Sequence, residues 1–187
     1  MNTIVLFVVI GAVVLIGITL YNQLASLRVR ADSAWADIDA QLKRRYDLIP
    51  NLVATVKGYA SHEQDTFEKV TQMRAAAISA QGVAEQAKAE NMLTQALRSV
   101  FAVAENYPEL RASENFNQLQ NSLVGIEDKI QAARRYYNAV VRDYNTKTQV
   151  VPSNLVAKMF NFKDREYFEL DSPEEREAPK VDFSSED

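Results

Sequence analysis

Cysteine is absent from the chain, which removes disulfide scaffolds, thiolate metal sites and cysteine nucleophiles together. Glycine and proline are scarce, five of each in 187 residues, too few for the turns of a β-sandwich or barrel and suited to long helices. Histidine occurs once, at His62, and no zinc-ligand pattern forms around it. Thr66 stands where an H-E-x-x-H motif needs its second histidine, and Tyr59 stands where a Glu-x-x-His pair needs its glutamate. No glycine-rich loop is present to cradle a phosphate, and no serine sits in a nucleophile-elbow pattern. A clustered basic face is missing too, so nucleic acid is not an expected partner. The acids that make the net charge −4 collect at one end: ten acids stand against four bases from Lys163 onward. No cofactor and no catalytic residue are expected.

What is present begins with an uncharged run, I-V-L-F-V-V-I-G-A-V-V-L-I-G-I-T-L, Ile4 to Leu20. As a helix it covers about 25 Å, the short end of the membrane-spanning range, and Tyr21 extends it at the interface. A cleaved signal peptide would need a basic segment before the run and a small-residue site after it; neither is there. An uncleaved anchor over residues 1–21 is expected. Bases flank the run only downstream, at Arg28 and Arg30 and then Lys43, Arg44 and Arg45. The positive-inside rule therefore puts the N-terminus out and the body on the cytoplasmic side.

Past the anchor the apolar residues keep a helical spacing. Leu24, Leu27, Ala31, Trp35, Ile38, Leu42, Tyr46, Ile49, Val53, Val56 and Ala60 follow at steps of three or four, the pattern of one buried face. The stripe crosses Pro50 in register, which predicts a bent rather than a broken helix, since proline removes an N–H and crowds the Tyr46 carbonyl. Arg44, Arg45, Asp47, Pro50 and Asn51 form a candidate interaction surface around that bend. Trp35 lies about 22 Å of helix beyond Leu20 and is expected to be a core anchor rather than a membrane-interface residue. Ser61 and Gln64 have capping-box spacing, with Phe67, Val70, Met73 and Ala77 continuing the stripe. Whether Gly58–Gln64 breaks the helix stays open. Gln81-Gly82 is an interruption.

A helix over about 84–105 is expected to point Met92, Leu93, Ala96, Leu97, Val100, Phe101 and Ala104 inward, and Pro108 ends it. Ser113 is placed to cap the next. There Phe116, Leu119, Leu123, Ile126, Ile130, Ala133, Tyr137, Val140 and Tyr144 alternate steps of three and four, a heptad seam that suits an antiparallel bundle or, in part, an intermolecular coiled coil. Val151-Pro152-Ser153 stops this helix, and 154–160 suits a short closing one. From Asn161 the chain turns acidic and loses its period. It is expected to be extended or flexible, with Phe162, Tyr167, Phe168 and Phe183 available to dock locally.

The stretch R-A-D-S-A-W-A-D-I-D-A-Q-L-K-R-R-Y-D-L-I-P-N-L-V, Arg30 to Val53, resembles the signature of the bacterial LemA family. V-K-G-Y-A-S-H-E (56–63), A-E-N-Y-P-E-L-R-A (104–112), N-F-N-Q-L-Q (115–120), I-E-D-K-I-Q-A-A-R-R-Y-Y-N (126–138), V-R-D-Y-N-T (141–146) and the tail A-P-K-V-D-F agree with it. The resemblance implies a single-pass protein of the bacterial inner membrane with an antiparallel helical-bundle body, and it brings no catalytic residues. The expected architecture is all-α: an anchor over 1–21, a bundle over 22–160 and an acidic tail over 161–187. The expected function is that of a non-enzymatic scaffold or adaptor. Its partners would be the lipid bilayer, other membrane or membrane-proximal proteins and a second copy of itself. The alternative is a regulatory or sensory subunit of a membrane enzyme or envelope-stress pathway. Ala178, Pro179, Lys180, Val181, Asp182 and Phe183 are a candidate linear motif.

Overall fold

The computed structural model describes residues 2–169, and the architecture is all-α as expected: α1 (Asn2–Lys57), α2 (Gln64–Ser79), α3 (Val83–Glu105), α4 (Pro108–Ala112), α5 (Glu114–Gln149) and α6 (Ser153–Met159). No helix breaker separates the apolar run from the body, and α1 leaves the one as it enters the other. Among the described residues α1 is the one helix long and apolar enough to cross a membrane.

The body is organised around α1 and α5, which run antiparallel. Arg45 of α1 meets Glu127 of α5, Trp35 meets Tyr137, and Lys147 lines a groove with Thr19 to Arg30, so positions fall along one helix as they rise along the other. Their facing stripes bury Ala31, Ile38, Leu42, Ile49, Val56, Ile130, Tyr137 and Val141. Each large side chain taken fully from water contributes about 1.5–3 kcal/mol, which is where the stability of such a pair resides. The stripe drifts slightly after Pro50: Leu52 is fully buried, and Val53, expected inward, is half-buried.

α2 and α3 form a hairpin against the membrane-distal half of α1. Gly82 turns it with φ 86°, a backbone geometry that a side chain disfavours. The open question at Gly58–Gln64 resolves as a break. Gly58 ends α1, Ala60 is buried, and α2 starts at Gln64 with Glu63 in the cap position. The Ser61 capping box does not form, because the restart falls two residues too late for its spacing. Met92, expected inward on α3, is exposed, while Leu93, Ala96, Leu97, Val100 and Ala104 are buried. Ser113 does precede α5, without a side-chain cap bond, and Pro108 opens the extra helix α4 rather than only ending α3.

Residues 161–169 are extended, one of the two forms expected of the tail, and are held against the body. α6 ends with Asn161 at φ 57°, and the Phe162 N–H reaches back to the Ala157 carbonyl at 2.9 Å. This is a Schellman ending with asparagine in the left-handed position, which reverses the chain. The following residues run as an extended strap along α5, and Phe168 is fully buried. Packing thus continues to Phe168. Local docking was expected of these aromatics; the backbone clamp that holds them was not.

Candidate functional site

Two polar assemblies, one buried and one partly buried, hold further elements onto the α1–α5 pair. The first lies in the distal half. Arg45 and Tyr46 of α1 face Gln86, Glu90 and Thr94 of α3, which are four residues apart and so share one helix face. Arg45 donates to Glu90 Oε2 at 3.2 Å and to Thr94 Oγ1 at 2.9 Å, and its Nη1 lies 3.3 Å from Glu127 of α5. The Tyr46 hydroxyl donates to Glu90 Oε1. The Gln86 amide donates to Tyr46 Oη at 2.8 Å, Glu90 Oε1 at 3.1 Å and the Ala77 carbonyl at 3.1 Å. Glu90 is 1% exposed and Arg45 5%.

Burial pushes the Glu90 carboxyl above its ordinary value, against the opposing pull of Tyr46, Arg45 and Gln86. Burial, with the Glu90 charge added, also pushes the Tyr46 phenol up, so Tyr46 is the hydrogen-bond donor of the pair. A residue with a raised carboxyl in a cleft is a candidate acid. Here the carboxylate is closed off by its own partners. The neighbouring groove, lined by Arg45, Thr94, Arg98, Phe101, Gln120 and Glu127, reaches the guanidinium and not Glu90. The arrangement is suited to holding three helices together.

Pro50 belongs to this assembly through its missing N–H. The Tyr46 carbonyl, four residues back, has lost its helical donor. Arg74 of α2 supplies a replacement, donating from Nε at 2.7 Å. The proline therefore opens an acceptor on α1 that α2 occupies, and α1 stays helical through the position.

The second assembly holds the strap in the membrane-proximal half. Asn138 Nδ2 donates to the Phe168 carbonyl at 3.1 Å, and its Oδ1 accepts the Phe168 N–H at 2.9 Å. Asn145 treats Arg165 the same way, with both bonds at 2.9 Å. Seven helical residues rise about 10.5 Å and three extended residues span about 10 Å, so the two asparagines match the strap's repeat. Tyr137 donates to the Glu166 carbonyl at 3.0 Å, and Thr148 and Gln149 hold Asp164 at 2.6 and 2.8 Å. Arg165 pairs with Asp32 of α1 and lies 5.9 Å over the Tyr144 ring. Phe168 packs edge-on against Trp35 with centroids 5.4 Å apart. Trp35 is thus an internal anchor, as its distance from the run implied.

Of the residues singled out around Pro50, the structure keeps Arg44, Asp47, Pro50 and Asn51 on the exposed side of α1 and turns Arg45 into the buried ion pair. Arg45 follows Leu42 by three and precedes Ile49 by four, so its place on the stripe was legible. Gln86, Glu90, Thr94, Asn138 and Asn145 were missed; the signal was polar residues at steps of four or seven inside apolar faces. His62 is exposed in the α1–α2 turn. The motif Ala178–Phe183 lies outside the described residues. Among the described residues no three His, Asp or Glu side chains are grouped as a metal site would require.

A membrane-length helix continued into an antiparallel bundle and closed by a C-terminal strap defines a class of helical membrane-stem proteins. The sequence model of the LemA family matches residues 34–183, most of the chain, and the protein belongs to that family. Among its relatives, Magnetosome protein MamQ 2 of Paramagnetospirillum magneticum is 25% identical, over 80% of this chain and 64% of that protein. Magnetosome protein MamQ of Magnetospirillum gryphiswaldense is 24% identical, over 79% and 64%. Protein LemA of Metamycoplasma hominis is 28% identical, over 73% and 63%. The chain thus spans less than two thirds of the length of these relatives.

Proposed function

We propose that the protein is a membrane-anchored scaffold that binds other membrane or membrane-proximal proteins, and itself, through the outward face of its body, without catalysis. The observation that carries this reading is the unbroken α1. A single helix joins the apolar run to the body through Lys57, so a partner on the body is held at a fixed height and angle to the stem. The docking surface is the exposed side of α1 bearing Arg44, Asp47, Pro50 and Asn51. It adjoins the open α1–α2 groove lined by Val53, Lys57, Phe67 and Thr71. The bases downstream of the run favour an inner-membrane protein with a cytoplasmic body. Arg74's hold on the Tyr46 carbonyl favours a fixed joint over a hinge, which ranks the scaffold ahead of a bending sensor.

Photo-crosslinking residues at positions 44, 47 and 51 of the full chain in membranes test this. Discrete protein adducts, lost when the same residue is moved to the buried side, are expected. Adducts that match those of a random surface position on the body overturn the reading. The tail is tested by removing residues 170–187; a cut at Asp164 would also remove the packed strap and confound the result.

A further inference from the structure

We propose that the membrane-proximal end of the body is itself a lipid-binding surface. In this arrangement Val151, Leu155, Met159 and Phe160 dip into the headgroup–acyl boundary of an anionic bilayer, and the surrounding bases meet its phosphates. The proposal rests on the membrane reading of the apolar run and extends it to α6.

Position comes first. The Tyr21 ring, one residue past the run, lies 4.8 Å from the Phe160 ring and 5.6 Å from that of Phe162, centroid to centroid. If Ile4–Leu20 fills the hydrocarbon, the end of α6 stands at the membrane surface, the level aromatic rings favour. Exposure comes second. Val151 is 78% exposed, Met159 77%, Leu155 63% and Phe160 54%, and the first two exceed every other described large apolar side chain, those of the run included. Elsewhere in the body the exposed ones stand singly: Val29 on α1, Tyr59 in the turn after it, Ile78 on α2, Met92 on α3, Val124 and Tyr136 twelve residues apart on α5, and Tyr167 in the strap. Leu155 and Met159 are four apart and share one face of α6, while Ser153 and Ala157 on the other side are buried against the body. A contiguous apolar patch of this kind marks an interaction surface.

Charge is the third observation, and it selects the occupant. Residues 1–31 hold no acid, nor do 144–163, while these stretches carry Arg28, Arg30, Lys147, Lys158 and Lys163. The structure folds the two stretches against each other, with Lys147 beside Thr19, Asn22 and Arg30. Asp32 is paired with Arg165, and Asp164, held by Thr148 and Gln149, is the acid that borders this end. An apolar tip bordered by five bases and, among the described residues, by Asp164, whose carboxylate is taken up by Thr148 and Gln149, has the basic excess of an interfacial membrane contact. Long lysine stems let their ammonium groups reach the phosphates while the apolar groups sink. With α6 seated in the surface, the stem is held at two points and the tilt of the body is set.

The cysteine-free sequence allows the test. Single cysteines at Leu155, Met159, Val9 and Met92 of the full chain are spin-labelled in nanodiscs containing phosphatidylglycerol, one copy per disc. Accessibility to oxygen and to a water-soluble nickel chelate is then compared. The expected oxygen-to-nickel ratio at Leu155 and Met159 is several-fold above that at Met92 and below that at Val9, and it drops in discs of phosphatidylcholine alone. Leu155 and Met159 labels as wetted as Met92, with Val9 in lipid, overturn this proposal while sparing the anchor. A wetted Val9 overturns the anchor as well. Labels at 155 and 159 shielded from both reagents report a protein neighbour, and overturn the lipid assignment.

Discussion

The distal and proximal halves of the body solve the same problem with different chemistry. Each must fasten a further element to the α1–α5 pair. The distal half fastens the α2–α3 hairpin with charge: Arg45 between Glu90 and Glu127, and Arg74 on the carbonyl that Pro50 leaves open. The proximal half fastens the strap mainly with neutral amides and rings: Asn138 and Asn145 on backbone, and Phe168 on Trp35. A charged lock discriminates between alternative packings, because one misplaced partner leaves a bare buried ion. A backbone clamp tolerates changes in the strap's solvent-facing side chains and depends on the asparagines and on the buried Phe168 ring.

The largest break expected in this comparison is Arg45→Ala. It leaves Glu90 buried without its cation and should lower stability by about 3–5 kcal/mol in urea unfolding followed by far-ultraviolet circular dichroism. Phe168→Ala should cost a comparable 3–5 kcal/mol on the other side, by emptying a fully buried ring site. The two differ in readout. Phe168→Ala should shift the emission of Trp35, the sole tryptophan, and Arg45→Ala should leave the native-state emission unchanged.

A middle-sized effect sharpens the role of Pro50. Arg74→Ala should cost about 1–3 kcal/mol, because it orphans the Tyr46 carbonyl. In a Pro50→Ala background the helix supplies its own donor, so the same change should cost markedly less; equal costs in a double-mutant cycle would remove the proposed link. Acidity separates the halves further. A carboxyl raised in the folded state binds its proton more tightly there than in the unfolded chain. Glu90 therefore adds no stability change well below its ordinary value of 4.5, and stability declines as pH climbs from there through the folded value. Glu90→Gln should abolish that slope, while Asn145→Ala, which removes two neutral bonds, should lower stability without changing it. The smallest effect belongs to Arg142→Ala: its contact with Asp143 is 3.7 Å long and open to solvent on both sides, and its loss should fall within about 0.5 kcal/mol.

What sequence alone determined was everything carried by period and by strong stops. The uncharged run, the stripe through Pro50, the seam of α5, and the breaks at Gly82, Pro108 and Pro152 follow from local rules and reappear in the structure. Those rules see one helix at a time, and so they could not say which polar groups meet. Glu90 looks like a surface glutamate until α1 brings Arg45 and Tyr46 over it, and Asn138 and Asn145 look like solvated amides until the chain returns along α5. The acidic composition after Asn161 argued for a loose tail. Two asparagines at the right pitch, with a ring to bury, hold the chain in place as far as Phe168. Desolvation and long-range hydrogen bonding are properties of the assembled surface, and only the tertiary structure decides them.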